Sequence, residues 1–196
     1  MPIRSIVLTS LFAALIAVGA YLAIPLAPVP ITFQTLCIII AGLLGGKRIG
    51  LSAVGIYLIA GAIGLPVFSG GTGGIAHLIG PTGGFLFGSL LSVFLAGFFS
   101  DQAKKLLHKE ESMTDDDPEK DHLSRSVMVL LIAGTLTATI AMYLSGIPWL
   151  KLSVGLTWEK TFAVGMIPFI PGDLLKAAAA IALAKIFIKR IDLFLS

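Results

Sequence analysis

Long apolar runs broken by short polar punctuation dominate the pattern, and neither the alternation of a half-buried strand nor the one-sided stripe of a surface helix appears. A lipid-crossing helix needs about 20 mostly apolar residues. Six runs qualify or come close: Ser5 to Ile24, Thr35 to Gly46, Ile49 to Ile63, Gly83 to Ser100, Val127 to Gly146 and Leu174 to Ile188. The second and third are short, separated only by Gly45-Gly46-Lys47-Arg48, which reads as a tight charged hairpin between two short or tilted helices. Thr161 to Pro168 is too short to cross and reads as a re-entrant or surface piece. The expected fold is an all-α membrane protein of six transmembrane helices, a single domain over residues 1–196.

Composition sharpens this picture. Of 196 residues, 56% are hydrophobic and 13% charged, with a mean hydropathy of +0.97. Soluble domains carry roughly a quarter charged residues, so lipid is the solvent for most of this chain. The lone cysteine, Cys37, excludes a disulfide scaffold and any multi-cysteine metal site. The net charge of +3 is no nucleic-acid signal, because the charges are placed by topology. Eleven of the 14 Lys and Arg fall on the side of the N-terminus. They are Arg4, the Lys47-Arg48 turn, five residues from Lys104 to Arg125, and Lys185, Lys189 and Arg190. Short Lys/Arg-rich loops stay inside, so both termini are expected in the cytoplasm. The first run is read as a membrane span rather than a cleaved leader, since removing it leaves five spans and an inconsistent charge pattern.

One stretch is hydrophilic. Asp101 to Arg125 holds eight acids against five bases and reads as a mobile cytoplasmic linker between helices 4 and 5, with His108 and His122 as solvated bystanders.

The opposite side collects unusual residues. Eight of the ten prolines and ten of the 22 glycines (those from Gly61 to Gly88) lie in or beside its loops. Irregular backbone at membrane depth survives only where protein buries it or water wets it, which points to an outward-facing pocket. The loop Gly64 to Gly84 looks at first like a phosphate cradle, yet no Gly-Lys-Ser/Thr tripeptide occurs anywhere, so the chain does not hydrolyse ATP itself. Pro81-Thr82-Gly83-Gly84 opens the fourth span, where free backbone N–H groups suit a small anion or carbonyl; a glycine-permitted helix start packed on a neighbour reads equally well. His77 either donates to a ligand or caps a backbone group. Asp173, at the expected N-cap of the last span, stands three residues before Lys176 on nearly the same face. Charges at that depth are expensive and normally face a pocket or the bundle interior. They read either as a cap with a structural ion pair or as a ligand clamp. Tyr143 and Trp149 fit an aromatic belt or a pocket wall. In the first span Ala13 and Ala17 form a small-xxx-small pair suited to close helix approach.

Taken in order, Pro28-Val-Pro-Ile-Thr-Phe-Gln-Thr-Leu36, Gly64-Leu-Pro-Val-Phe68, Gly73-Gly74, Gly80-Pro-Thr-Gly-Gly-Phe-Leu-Phe-Gly88, Tyr143 with Gly146 and Trp149-Leu150, and Pro168-Phe-Ile-Pro-Gly-Asp-Leu-Leu-Lys176 resemble the BioY family. These are the biotin-specific substrate-binding (S) components of energy-coupling factor (ECF) transporters. The resemblance covers all but the acidic linker, which is longer than the family pattern leads one to expect. It implies a multi-pass bundle in a bacterial or archaeal plasma membrane that binds biotin from outside, with no cofactor and no enzymatic activity. The first outer loop would be a lid, and the partners a transmembrane coupling protein and two ATPases. It also implies that Ala13 and Ala17 form the docking face for the coupling protein. The residues suited to biotin are Asp173 for ureido N–H groups, Lys176 for the ureido oxygen or the carboxylate, and Phe33, Phe68, Tyr143 and Trp149 around the ring. Gln34, Gly73, Gly74, Gly83, Thr82 and His77 complete the expected site. Stand-alone secondary transport of a small carboxylate is the competing reading, with Asp173 its only candidate coupling acid; an intramembrane hydrolase would have to rely on Ser69 and His77.

Overall fold

A computed structural model describes residues 2–111, 113 and 119–195, and the chain is helical nearly throughout. Its elements are α1 (Ile3–Tyr21), the two-residue strands β1 (Ala23–Ile24) and β2 (Ile31–Thr32), α2 (Gln34–Ala62), the short α3 (Ile75–Ile79), α4 (Gly83–Glu111), α5 (Glu119–Val154), α6 (Trp158–Gly165) and α7 (Ile170–Leu195). Among the described residues, four helices are long and apolar enough to cross a membrane: Ile3–Tyr21, Gln34–Ala62, Gly83–Glu110 and Asp121–Val154.

The second of these is two helices. Gly46 has φ 72° and ψ 179°, a conformation closed to side-chain-bearing residues. Beyond it the chain doubles back: a Cβ on Gly50 would stand 3.3 Å from the Ala41 carbonyl oxygen, whereas nine residues along one straight helix span about 13 Å. The hairpin expected at Gly45 to Arg48 is therefore present, turning at Gly46. Reversal leaves orphan carbonyls at the end of the first half. The Ser100 hydroxyl donates to the Leu43 carbonyl, and the Lys104 ammonium donates to that of Leu44 at 2.9 Å. Glycine lets the elements meet: the backbone of Lys47 lies directly on Gly97 of α4, and Gly42 abuts Ala96. Gly84 and Gly88 of α4 receive Trp149 and Ser145 of α5 in the same way.

Three boundaries differ from expectation. The acidic stretch is largely helical: α4 runs on to Glu111 and α5 starts at Glu119, while residues 112 and 114–118 lie outside the described part. Net charge suggested a linker, but Ala103 and Leu107 are buried one turn apart on α4, Leu123 is buried on α5, and Lys104 is buried with them. His108 is exposed to solvent, as expected, and stands 2.8 Å from Asp192 of α7. The fifth run continues through Pro148 to Val154, so Trp149 sits on a helix and not in a loop. The piece expected at Thr161 to Pro168 is α6 followed by a 3-10 turn at Ile167–Phe169, with Thr157 as N-cap.

Candidate functional site

At the end of the bundle opposite the Gly46 turn lies a cavity of about 360 Å³, within the range of small-molecule sites. Three segments bound it.

The first is the loop after α1. β1 and β2 pair antiparallel, Ala23 with Thr32 and Ile24 with Ile31, and the Phe33 N–H extends the ladder to the Leu22 carbonyl at 3.2 Å. This hairpin presents Pro28, Val29 and Pro30 to the cavity, with Val29 buried at the tip. The prolines do keep the loop extended, but as a folded-over ribbon. Beneath it α2 begins, its first N–H capped by the Thr32 hydroxyl at 3.3 Å.

The glycine-rich segment 64–82 forms the second wall. Gly70 and Gly71 (φ 71° and 72°) make a turn closed by the bridge between Phe68 and Thr72. Phe68, 2% exposed, packs edge-on against Tyr57 at 5.5 Å and rests on Gly61, where only a glycine leaves room for the ring. His77 on α3 stands 6.0 Å from Phe68. The Gly74 N–H donates to the Gly61 carbonyl at 2.7 Å, and the Tyr21 hydroxyl donates to the Pro66 carbonyl, tying the segment down at both ends.

α5 and α7 bring the polar cluster. Asp173 lies in the first turn of α7, which starts at Ile170, so it is inside the helix and not its N-cap. Its Oδ1 is 3.0 Å from the Lys176 Nζ, and its Oδ2 accepts from the Tyr143 hydroxyl. Lys176, 8% exposed, also reaches to 3.4 Å from the Thr35 hydroxyl of α2. All four residues line the cavity. The carboxylate and ammonium neutralise each other, which suits a site walled mostly by apolar atoms. Each keeps capacity for a ligand: an ammonium has three donors and a carboxylate about four lone-pair sites. Phe85 meets Tyr143 edge-on at 6.5 Å and completes the wall with Met142.

Of the residues expected at the site, Asp173, Lys176, Tyr143, Phe68, His77, Thr82 and Gln34 line the cavity. Five do not. Phe33 is 52% exposed, on the outside of the hairpin. Gly73 packs against the Leu65 carbonyl, Gly74 serves by its φ of 100°, and Gly83 is pressed between the Leu78 carbonyl and Trp149. Trp149 lies behind the wall, its Nε1 donating to the Gly80 carbonyl at 2.9 Å and its ring against Phe87. These glycines shape the backbone; they do not face the space. Thr35, Thr139 and Phe85 line the cavity although sequence reasoning did not single them out. Thr139 was legible, one helical turn before Tyr143. In α1, Ala13 is 8% exposed, and Ala17 is half-buried against the core.

The sequence profile of the BioY family matches residues 1–192. This chain belongs to the BioY family. Similar proteins include a probable biotin transporter BioY of Pyrococcus horikoshii, 36% identical over 94% of this chain and 96% of that one. The biotin transporter BioY of Rhizobium etli is 38% identical over 94% and 93%, and that of Thermotoga maritima 35% over 96% and 98%. Among solved structures, a crystal structure of the S-component for biotin from an ECF-type ABC transporter superposes with a TM-score of 0.77, at 28% identity, covering 95% of this chain and 92% of that one. The family is one of membrane transport proteins, not enzymes.

Proposed function

We propose that this BioY-family chain is the biotin-binding S component of an ECF-type importer in the plasma membrane. The observation that carries the reading is the Asp173–Lys176–Tyr143 cluster on the wall of a lidded, mostly apolar cavity. Biotin carries two ureido N–H donors, a ureido carbonyl, an apolar bicycle and a carboxylate tail. The ureido edge matches the cluster, its N–H groups donating to Asp173 and its oxygen accepting from Lys176. The tail does not, because a second carboxylate beside Asp173 is repelled. It is directed instead to the opposite wall, where His77, Thr72 and Thr82 offer donors. Phe68, Phe85 and Met142 enclose the ring system, and the Pro28–Val29–Pro30 ribbon covers it.

In this reading the chain crosses the membrane six times, as α1, the two halves of α2, α4, α5 and α7. Both termini and the Gly46 turn lie in the cytoplasm, in keeping with eleven of 14 Lys and Arg at that end. The cavity then opens outward. Energy comes from a coupling protein and two ATPases, since the chain has no phosphate loop of its own. In this reading the coupling protein docks on α1 at Ala13 and Ala17.

Titration calorimetry of the purified chain in detergent tests the binding claim: biotin saturates it at one site per chain without ATP. Absence of saturable binding by folded protein refutes it. Biotin uptake by cells expressing the chain with and without a coupling module tests the transport claim, and uptake undiminished in the module's absence favours stand-alone transport.

A further inference from the structure

α6 lies across the end of α5, a helix long and apolar enough to cross a membrane. At the start of α6 the Lys151 ammonium of α5 stands 5.2 Å from the centre of the Trp158 ring. At its end Gly165 packs against Leu150 and Ile147 of the same helix. Both ends of α6 thus meet α5 within residues 147 to 151, about one turn, although α6 itself is about 12 Å long. Its faces differ. Thr161 and Gly165, four residues apart, are buried against the bundle. Trp158 and Phe162, also four apart, are exposed with their rings stacked at 6.1 Å, and Glu159 and Lys160 are exposed on the remaining arc. On α5, Leu136, Ile140, Leu144, Pro148 and Leu152 form an exposed apolar row that runs to the last turn, where Lys151 meets Trp158.

We propose that Trp158 and Phe162 seat α6 flat in the boundary between headgroups and acyl chains, in the leaflet on the cavity's side. An aromatic stripe with a charged arc, carried on a short helix that crosses the end of a span, is the pattern of a helix lying in that boundary. The lysine above the indole favours lipid over protein as the occupant. An ammonium held there keeps its water and reaches phosphate while the ring beneath it meets acyl chains, whereas a dry protein contact strips that water away. The exposed row on α5 leads hydrocarbon up to the same point. α6 continues through the turn at Ile167–Phe169 into α7, and Gly165 and Phe169 line the cavity. The bilayer surface therefore bears on a segment that ends at the ligand wall. The inference needs α5 to span the bilayer but not biotin as the ligand.

The chain has two tryptophans, Trp149 and Trp158, so Trp149→Phe leaves the indole of α6 as the sole one. The test is fluorescence quenching of the full chain in phosphatidylcholine vesicles whose acyl chains carry bromine either near the headgroup or near the methyl end. Shallow bromine is expected to quench Trp158 at least about twofold more than deep bromine. Trp149→Phe/Trp158→Phe/Phe162→Trp moves the indole one turn along α6 and gives the same ratio. An upright α6 would instead shift its depth by about 6 Å, and a changed ratio overturns the flat seating. Trp158→Phe, which keeps Trp149, yields the Trp158 contribution by difference from wild type without relying on the Trp149 substitution. Quenching by aqueous iodide but by neither bromolipid overturns the proposal in favour of a solvent-exposed helix. Stronger quenching by deep bromine places α6 in the hydrocarbon core and overturns it too. Indifference to all three quenchers means that a second copy of the chain covers the stripe, which equally refutes it. No readout uses biotin, so this inference and the proposed function fail separately.

Discussion

The Lys176 ammonium lies 3.0 Å from Oδ1 of Asp173, three residues earlier on α7, at a cavity wall made mainly of apolar atoms. Breaking a buried pair by removing one member leaves an uncompensated charge, which costs more than removing both. Asp173→Asn is therefore expected to weaken biotin binding by about 2 kcal/mol, roughly 30-fold, through loss of a charged acceptor. Lys176→Met alone lowers the thermal midpoint in detergent more than Asp173→Asn/Lys176→Met does. Calorimetry and a thermal-shift assay read the two effects; additive midpoints would mean the charges are solvated independently.

Tyr143 holds the other carboxylate oxygen. In Tyr143→Phe that oxygen keeps its charge and loses its donor, so the carboxylate is free to rotate away from the ligand edge. Affinity for biotin is expected to fall by about 1 to 1.5 kcal/mol, around tenfold. Because Phe85 packs against the ring and not the hydroxyl, the midpoint should move little. A large loss of stability with intact affinity would make Tyr143 a scaffold residue.

Val29 is the buried tip of the outer hairpin, and burying a valine contributes about 1.5 kcal/mol or more. Val29→Ser weakens the closed position of the lid while touching no polar partner of the ligand. Biotin dissociation is expected to quicken about tenfold, with association nearly unchanged. Rapid dilution of a preformed complex measures the rate, and an unaltered rate would show that the ribbon does not retain ligand.

Trp149 gives the opposite expectation. Its indole donates to the Gly80 carbonyl at 2.9 Å behind the cavity wall. Trp149→Phe loses that bond, at about 1 kcal/mol of stability, and leaves biotin affinity within about twofold. A tenfold loss of affinity would return Trp149 to the binding surface.

Much of this site was legible because charge in lipid is expensive. Asp173 and Lys176 stood out as oppositely charged neighbours in an apolar run, and they do meet on the cavity wall. Aromatic residues carry no such signal: Phe33, Phe68 and Trp149 looked equivalent in sequence, and only the rotation of each element decides which one faces inward. Helix ends were concealed in a related way. Pro148 suggested a boundary, yet α5 continues through it with Trp149 and Leu150 packed on their neighbours. The charged stretch from Asp101 hid a helical turn between Ala103 and Leu107, both buried, that net charge obscured. Glycines were legible as a group but not by role, since a close approach (Gly83) and a positive φ (Gly74) leave the same letter.

Gly46 combines those two roles at the turn between the halves of α2. Its φ of 72° with ψ near 180° is open essentially to glycine alone, and a Cβ there would also meet the Asp101 carboxylate of α4. Gly55, further along α2, has helical backbone, and a Cβ added to it would meet nothing within 4 Å. Gly46→Ala is expected to destabilise the chain by about 2 kcal/mol or more. Gly55→Ala should be neutral or stabilise by up to about 1 kcal/mol, because glycine is the poorer helix former. Thermal midpoints of the two variants in one detergent make the comparison. A Gly46→Ala midpoint equal to wild type would mean that the chain does not reverse at this residue, and the pairing of the two halves of α2 would have to be redrawn.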